Sequence, residues 1–394
     1  MKNVYQNLLL LYFLNCTGSA LRSKLTLLVK FIALFILSPL SAQAAPFVFV
    51  PGANSNSVTV IDVANDNNNI VATIPLAPAC MSPIGITINP AGTFAYVACG
   101  NSNSLAVINT QTATVAATIP MLAANPVAVA VTATRAYVVS QSNVLTEINT
   151  LTNTVVNITN LVALGGSSRI AINPAGTRAF VSNFAADSVT VLDITVSPAT
   201  IITTFAVGTE PIGIVVNPAG TLAYVANQGS GTVSVIDADA AMPFLMNTVP
   251  IAAGAGSRGI AINPAGTSVF VANVLTHTIS VIDTTTNMVV GTANLPMGST
   301  GPVEVVVNPA GTRFYTANNG SSNVSGINTG TNMVSGPVVP LALNAAPLGI
   351  ALSPLGPAAA APQQPLAVPT LSESALLFMA LLLAAIAVHR LRKQ

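Results

Sequence analysis

Ile212-Gly-Ile-Val-Val-Asn-Pro-Ala-Gly-Thr-Leu-Ala-Tyr-Val-Ala-Asn227, followed by Thr232-Val-Ser-Val-Ile-Asp237, is the stretch that decides the fold. Its aliphatic runs are short, β-branched and partly alternating, as half-buried strands are. Asn217-Pro-Ala-Gly-Thr221 between them reads as a hairpin. Pro presets φ for the second position of a type I turn, and Gly takes the left-handed position that follows. Strands are therefore expected at 212–216, 222–226, 232–236 and 246–249. The same pentapeptide recurs at Asn89, Asn173, Asn263 and Asn308, with a degenerate copy at Thr132-Ala133-Thr134. An aromatic follows each, at Tyr96, Tyr137, Phe180, Tyr224, Phe270 and Tyr315, about 44 residues apart. Phe49 fits one step earlier, because Asn54-Ser-Asn-Ser-Val58 matches Asn101-Ser-Asn-Ser-Leu105.

Seven copies of four short antiparallel strands predict an all-β fold, a seven-bladed β-propeller of four-stranded blades. The ends of the repeat region are incomplete in complementary ways. The first copy offers strands at 47–50, 57–61 and 70–74 but no innermost strand, whereas the last offers a lone innermost strand at 348–352. Three N-terminal strands plus one C-terminal strand make one blade and leave the ring without a free edge.

Phe180-Val-Ser-Asn183, Tyr224-Val-Ala-Asn227, Phe270-Val-Ala-Asn273 and Tyr315-Thr-Ala-Asn318 each precede a Val/Ile-rich strand. In this the chain resembles the YVTN family of β-propeller repeats, over about residues 47–354. That resemblance implies a secreted or cell-surface propeller and carries no chemistry of its own.

Composition agrees with a large packed β domain. Of 394 residues, 52% are hydrophobic and only 6% charged, against about 25% charged in an ordinary soluble domain. Between Ala45 and Pro357 there are five Arg, no Lys and ten acids. A body of that charge has no electrostatic hold on phosphate backbones, so no nucleic-acid partner is expected.

The basic residues gather at the ends instead. Lys24 and Lys30 precede the apolar run 31–37, then Ser38-Pro39 and Ala42-Gln43-Ala44. This order describes a secretory signal peptide over 1–44, cut after Ala44. An uncleaved anchor is the alternative, and Pro39 leaves it short for a membrane span. A second apolar run at 8–14 fits either an extended signal or a downstream start. At the other end a Pro/Ala-rich linker, 355–367, leads to Val368-Pro369-Thr370-Leu371-Ser372-Glu373, an apolar run at 375–388 and Arg390-Leu-Arg-Lys393. As a helix the run would be about 21 Å long, short of a bilayer core of about 30 Å. Residues 368–394 resemble the IPTL-type sorting signal of Gram-negative bacteria, with Ser374-Ala375 where that family has Trp-Gly. The resemblance implies an exosortase-like sorting enzyme and the inner membrane as partners. A plain tail anchor would give the same topology, body outside and tail inside.

Chemistry-bearing residues are few. His277 falls in a loop between strands and reads as an exposed polar residue; His389 lies in the basic tail. No metal, cofactor or nucleotide motif appears, and no cofactor is expected. Asp62, Asp193, Asp237 and Asp283 alternate with Asn109, Asn149 and Asn328 in the other copies, which suits a turn-forming side chain better than a metal ligand. Cys80 and Cys99 fold to one blade end, as a disulfide or as two small apolar thiols; in an exported protein we expect the bridge. Along the innermost strands one small position reads Gly85, Ala128, Arg169, Gly213, Gly259, Glu304 and Gly349. Arg169 and Glu304 break that rule, with Arg258 and Glu210 close by in register. They mark either a polar site at the channel mouth or an ion pair that neutralises itself. The expected function is a binding or scaffold module for an extracellular protein or glycan. The competing classes are a lactonase-like or dehydrogenase-like propeller enzyme and a structural surface-coat protein.

Overall fold

Each Asn-Pro-Ala-Gly-Thr stretch closes its hairpin by itself. In the copy at 217–221 Asn217 Oδ1 accepts from the backbone N–H of Thr221 and Leu222 at 2.8 and 3.0 Å, and Asn217 Nδ2 donates to Thr221 Oγ1 at 3.0 Å. Gly220 sits at φ +76°, where a side chain would be strained. The same bonds recur at Asn89, Asn173, Asn263 and Asn308. The second recurrent turn is closed the same way by a side chain. Asp62, Asp193, Asp237 and Asp283, with Asn109, Asn149 and Asn328, each accept a backbone N–H two residues on. Asn serves as well as Asp because the acceptor is the shared Oδ1.

The computed structural model describes residues 46–354 and 357, apart from 65–67, 162–164 and 252–253. The expected signal segment, linker, sorting motif and C-terminal apolar helix lie outside the described residues. Within them, seven four-stranded antiparallel sheets form. Blade 5, for example, consists of Pro211–Val216, Leu222–Asn227, Thr232–Asp237 and Phe244–Pro250. We number the blades in chain order, blade 1 containing Phe47–Gly52. Among the described residues the one helix is a single 3-10 turn, Phe184–Ala186, and none is long and apolar enough to cross a membrane.

The two middle strands of each blade are buried on both faces, and the outermost strand is largely exposed. Burial on both faces leaves no solvated row for charged residues, which accounts for the scarcity of charge. The apolar core falls into seven clusters, one per seam between neighbouring blades. The recurring aromatics fill these seams; Phe270, for instance, meets Phe314 of the next blade in a tilted ring pair with centroids 4.8 Å apart. Cys80 and Cys99 are joined by a disulfide, with Cα atoms 5.2 Å apart.

Blade 1 is the composite one. Ala351–Ser353 pairs antiparallel with Phe47–Gly52, matching Phe47 to Ser353, Val48 to Leu352 and Phe49 to Ala351. The regular strand is shorter than the expected 348–352. A single bridge, Gly52 to Pro347, precedes it. The gap between them corresponds to the β-bulge that follows the first residue pair in every other inner hairpin.

The seams are also stapled by polar contacts that the sequence did not suggest. In every blade the residue before the third strand adopts a left-handed conformation, and in five of them it carries a longer polar side chain: Asn56, Asn103, Asn143, Asp187 and His277. Its side chain accepts a backbone N–H from the loop entering the next blade, at Ser82, Asn125, Gly166, Glu210 and Gly301, over 2.7–3.1 Å. His277, read above only as an exposed polar residue, is the blade-6 version. In the Nε2–H tautomer its Nδ1 accepts the Gly301 N–H at 3.1 Å; in the other it would donate to the Val274 carbonyl, 3.0 Å from the same nitrogen. His277→Ala should destabilise the protein by roughly 1–2 kcal/mol, from the lost acceptor and an alanine at positive φ. His277→Asn, which borrows the side chain of three other blades, should be neutral. Urea unfolding of the two variants measures the difference.

Candidate functional site

The channel is defined by how closely the innermost strands approach. At the small register position a side chain has no room: a Cβ on Gly213 would overlap the Arg258 carbonyl of the next blade, and one on Gly259 the Glu304 backbone. The bulges at this level re-aim the residues that are not small. In blade 4 the register slips between Ser167 and Arg169, and in blade 7 between Pro302 and Glu304.

Arg169 spans the axis. Its Nε donates to Glu304 Oε2, three blades away, at 3.3 Å. One terminal nitrogen donates to the Ser168 carbonyl at 3.1 Å and the other to the Leu348 carbonyl, in the segment leading into the strand that closes the ring, at 3.0 Å. Both side chains are mostly buried, with 14% and 15% of their surface exposed. Arg258 stands nearby, one register position before the small one. Burial, reinforced by the Arg169 charge and opposed by Glu304, pulls its guanidinium down to about 10. Its Nε is buried and has no hydrogen-bond partner among the described residues. The tier therefore holds two positive charges against one negative.

On one side of the Arg169–Glu304 strap lies a chamber of about 380 Å³. Its walls are aliphatic, including Ile86, Ile170, Ile260, Val305 and Ile350, and it runs to Ile262, Val307 and Leu352, near the ends of the inner strands. Three of the four residues suggested for the channel mouth thus come together. Glu210 does not join them. It lies in the loop one residue before the blade-5 inner strand, its backbone N–H given to Asp187, and it forms no ion pair with Arg169 or Arg258 among the described residues. Register spacing suggested it, but a residue outside the strand is not held by the sheet. Also unforeseen were the backbone carbonyls of Ser168 and Leu348, which no side-chain pattern could signal.

Among the described residues no group of three or more His, Cys, Asp and Glu could hold a metal ion. The chamber lining contains no histidine. The arrangement can bind an anion: a guanidinium at one end of an aliphatic cavity, with surplus positive charge behind it.

Comparison with known proteins agrees on the architecture. Residues 132–250, under a third of the chain, match the family model described as lactonase, 7-bladed beta-propeller. Residues 367–393 match the IPTL-CTERM motif. The chain is thus a seven-bladed β-propeller carrying an IPTL-CTERM sorting motif at its C-terminal end. Among curated proteins none matches it. Similar solved structures include a functionally unknown protein of Desulfotomaculum acetoxidans, 19% identical, with a TM-score of 0.66 over 79% of this chain and 99% of that one. The periplasmic gluconolactonase of Pseudomonas aeruginosa is 15% identical, with a TM-score of 0.64 over 78% and 99%. The hydrazine synthase of Kuenenia stuttgartiensis is 18% identical, with a TM-score of 0.61 over 71% and 92%. At these identities the likeness is one of fold.

Proposed function

We propose that this chain is an exported, envelope-linked binding propeller whose channel chamber takes a small organic acid with an apolar body. Signal cleavage after Ala44, a propeller over 45–354 and a sorted C-terminal segment make up the delivery; the chamber makes up the recognition. One observation carries the reading: Arg169 faces an aliphatic cavity while Arg258 brings the tier to two positive charges against the one carboxylate of Glu304. A ligand carboxylate would share Arg169 with Glu304, and its hydrocarbon would fill the Ile/Val walls.

A second reading, lactone hydrolysis, is favoured by the family-model match over 132–250, which includes Arg169. Hydrolysis needs a base, and Glu304 is engaged by Arg169. Calorimetric titration of the full chain with straight-chain carboxylates from acetate to octanoate separates the two, alongside a gluconolactone hydrolysis assay. Affinity that rises with chain length and disappears in Arg169→Met supports binding. Turnover of the lactone without carboxylate binding, lost in the same variant, overturns it in favour of the enzyme.

A further inference from the structure

The other place where the repeat breaks is the seam between blades 3 and 4. Thr132-Ala133-Thr134 replaces the Asn-Pro-Ala-Gly-Thr turn and is closed by Thr132 N–H to the Arg135 carbonyl, three residues on instead of five. In blade 4 the loop between Ser188–Asp193 and Thr200–Ala206 is two residues longer than its blade-2 counterpart between Ser104–Asn109 and Thr114–Pro120. One turn withdraws and the neighbouring loop extends, leaving a cavity of about 690 Å³ between them.

The same seam holds the molecule's most unexpected charge. Glu147 stands in the row that reads Val60, Val107, Val191, Val235 and Val281 in other blades, and it is fully buried. Its oxygens accept from Ser197 Oγ at 2.7 Å and the Ala199 N–H at 2.5 Å, both on the extended loop. Arg135 lines the cavity, with Nη1 3.9 Å from Glu147 Oε2. That nitrogen is buried without a hydrogen bond among the described residues, while 30% of the side chain is exposed. Glu147 therefore fixes the guanidinium in place by charge without saturating its donors. The walls are mainly polar, with Thr134 and Asn173 among the lining residues beside the apolar Pro174 and Val196. Tyr137, whose phenol is pushed up by burial and by the Glu147 charge, closes the inner end and donates to the Ile194 carbonyl at 3.4 Å.

We propose that this cavity is a second ligand site, independent of the channel, that takes an acidic saccharide, the uronate carboxylate pairing with Arg135. The reasoning is chemical. A guanidinium with spare donors selects a carboxylate. A mainly polar wall with hydroxyl and amide groups disfavours an aliphatic acid, and apolar Pro and Val patches suit the C–H face of a sugar ring. The volume is suited to a ligand of one or two rings.

Titration of the full chain with digalacturonate, maltose and acetate tests this. Saturable digalacturonate binding is expected, with maltose and acetate each at least about ten-fold weaker. Arg135→Gln should weaken digalacturonate about ten-fold or more, and Arg258→Gln in the channel should leave it unchanged. If Arg135→Gln does not fold, Thr134→Trp, which fills the cavity from an exposed turn, takes its place. Equal affinity for acetate would reduce the site to a general anion contact and overturn the assignment. So would binding indifferent to Arg135 and Thr134, loss of binding through Arg258→Gln, or no binding of any probe.

Discussion

Ending the chain after residue 345 is expected to abolish cooperative unfolding of the whole ring. The deletion removes the bridge at Pro347, the three paired residues Ala351–Ser353 and the Leu348 carbonyl that Arg169 holds. It also strips Val48 and Val50 of the closing strand's Ile350 and Leu352, which pack in the same cluster at the blade 7–blade 1 seam. An open arc of seven sheets exposes two apolar faces instead of none, each a large patch of the kind soluble monomers avoid. The truncated protein should aggregate or unfold over a broad, multi-step transition. A circular permutant that places residues 346–354 directly before residue 46 should restore a single sharp one. Calorimetry of the two reads the outcome. A truncated chain that melts as sharply as the intact one would show that the blades hold the ring without their shared strand.

Glu304→Gln should be the most damaging conservative substitution in the channel. It leaves Arg169 and Arg258 facing each other in a mostly buried tier with no opposing charge. Breaking a buried pair by removing one partner typically costs about 3 kcal/mol or more, which for a domain of this size lowers the melting temperature by roughly 6 °C. Arg258→Met should do the reverse. It removes a buried, unpartnered charge and offers hydrocarbon to the inner strands, so stability should stay level or rise. The double variant should lose less than the sum, because Arg258 is what makes the Gln harmful. Strict additivity would mean that Arg258 and Glu304 do not sense each other.

Much of this architecture was legible because the turns are self-contained. Asn217 closes its hairpin with bonds to residues four and five positions on, so a pentapeptide suffices to declare two strands and the direction between them. The complementary gaps at the ends declared closure for the same reason. Arg169 and Glu304 stood out because small residues fill the other copies, and a crowded axis leaves them one direction to go. Relations between blades were harder to read. The αL staples of Asn56, Asn103, Asn143, Asp187 and His277 join loops more than twenty residues apart through a backbone N–H, which has no residue signature. Glu147 in a column of valines was a visible anomaly, but its partners, a serine hydroxyl and a backbone N–H, come from a loop fifty residues on. Glu210 shows the opposite error, since nearness in register counts only while the residue remains in the sheet.

Because Ser353 lies directly opposite Phe47, the chain enters and leaves the disc at one spot, beside the axis and on the side bearing the Asn-Pro-Ala-Gly-Thr turns. The shortened turn of blade 3 and the hollow beside it lie on that same side, so the first and last strands of the ring and the polar hollow share one face.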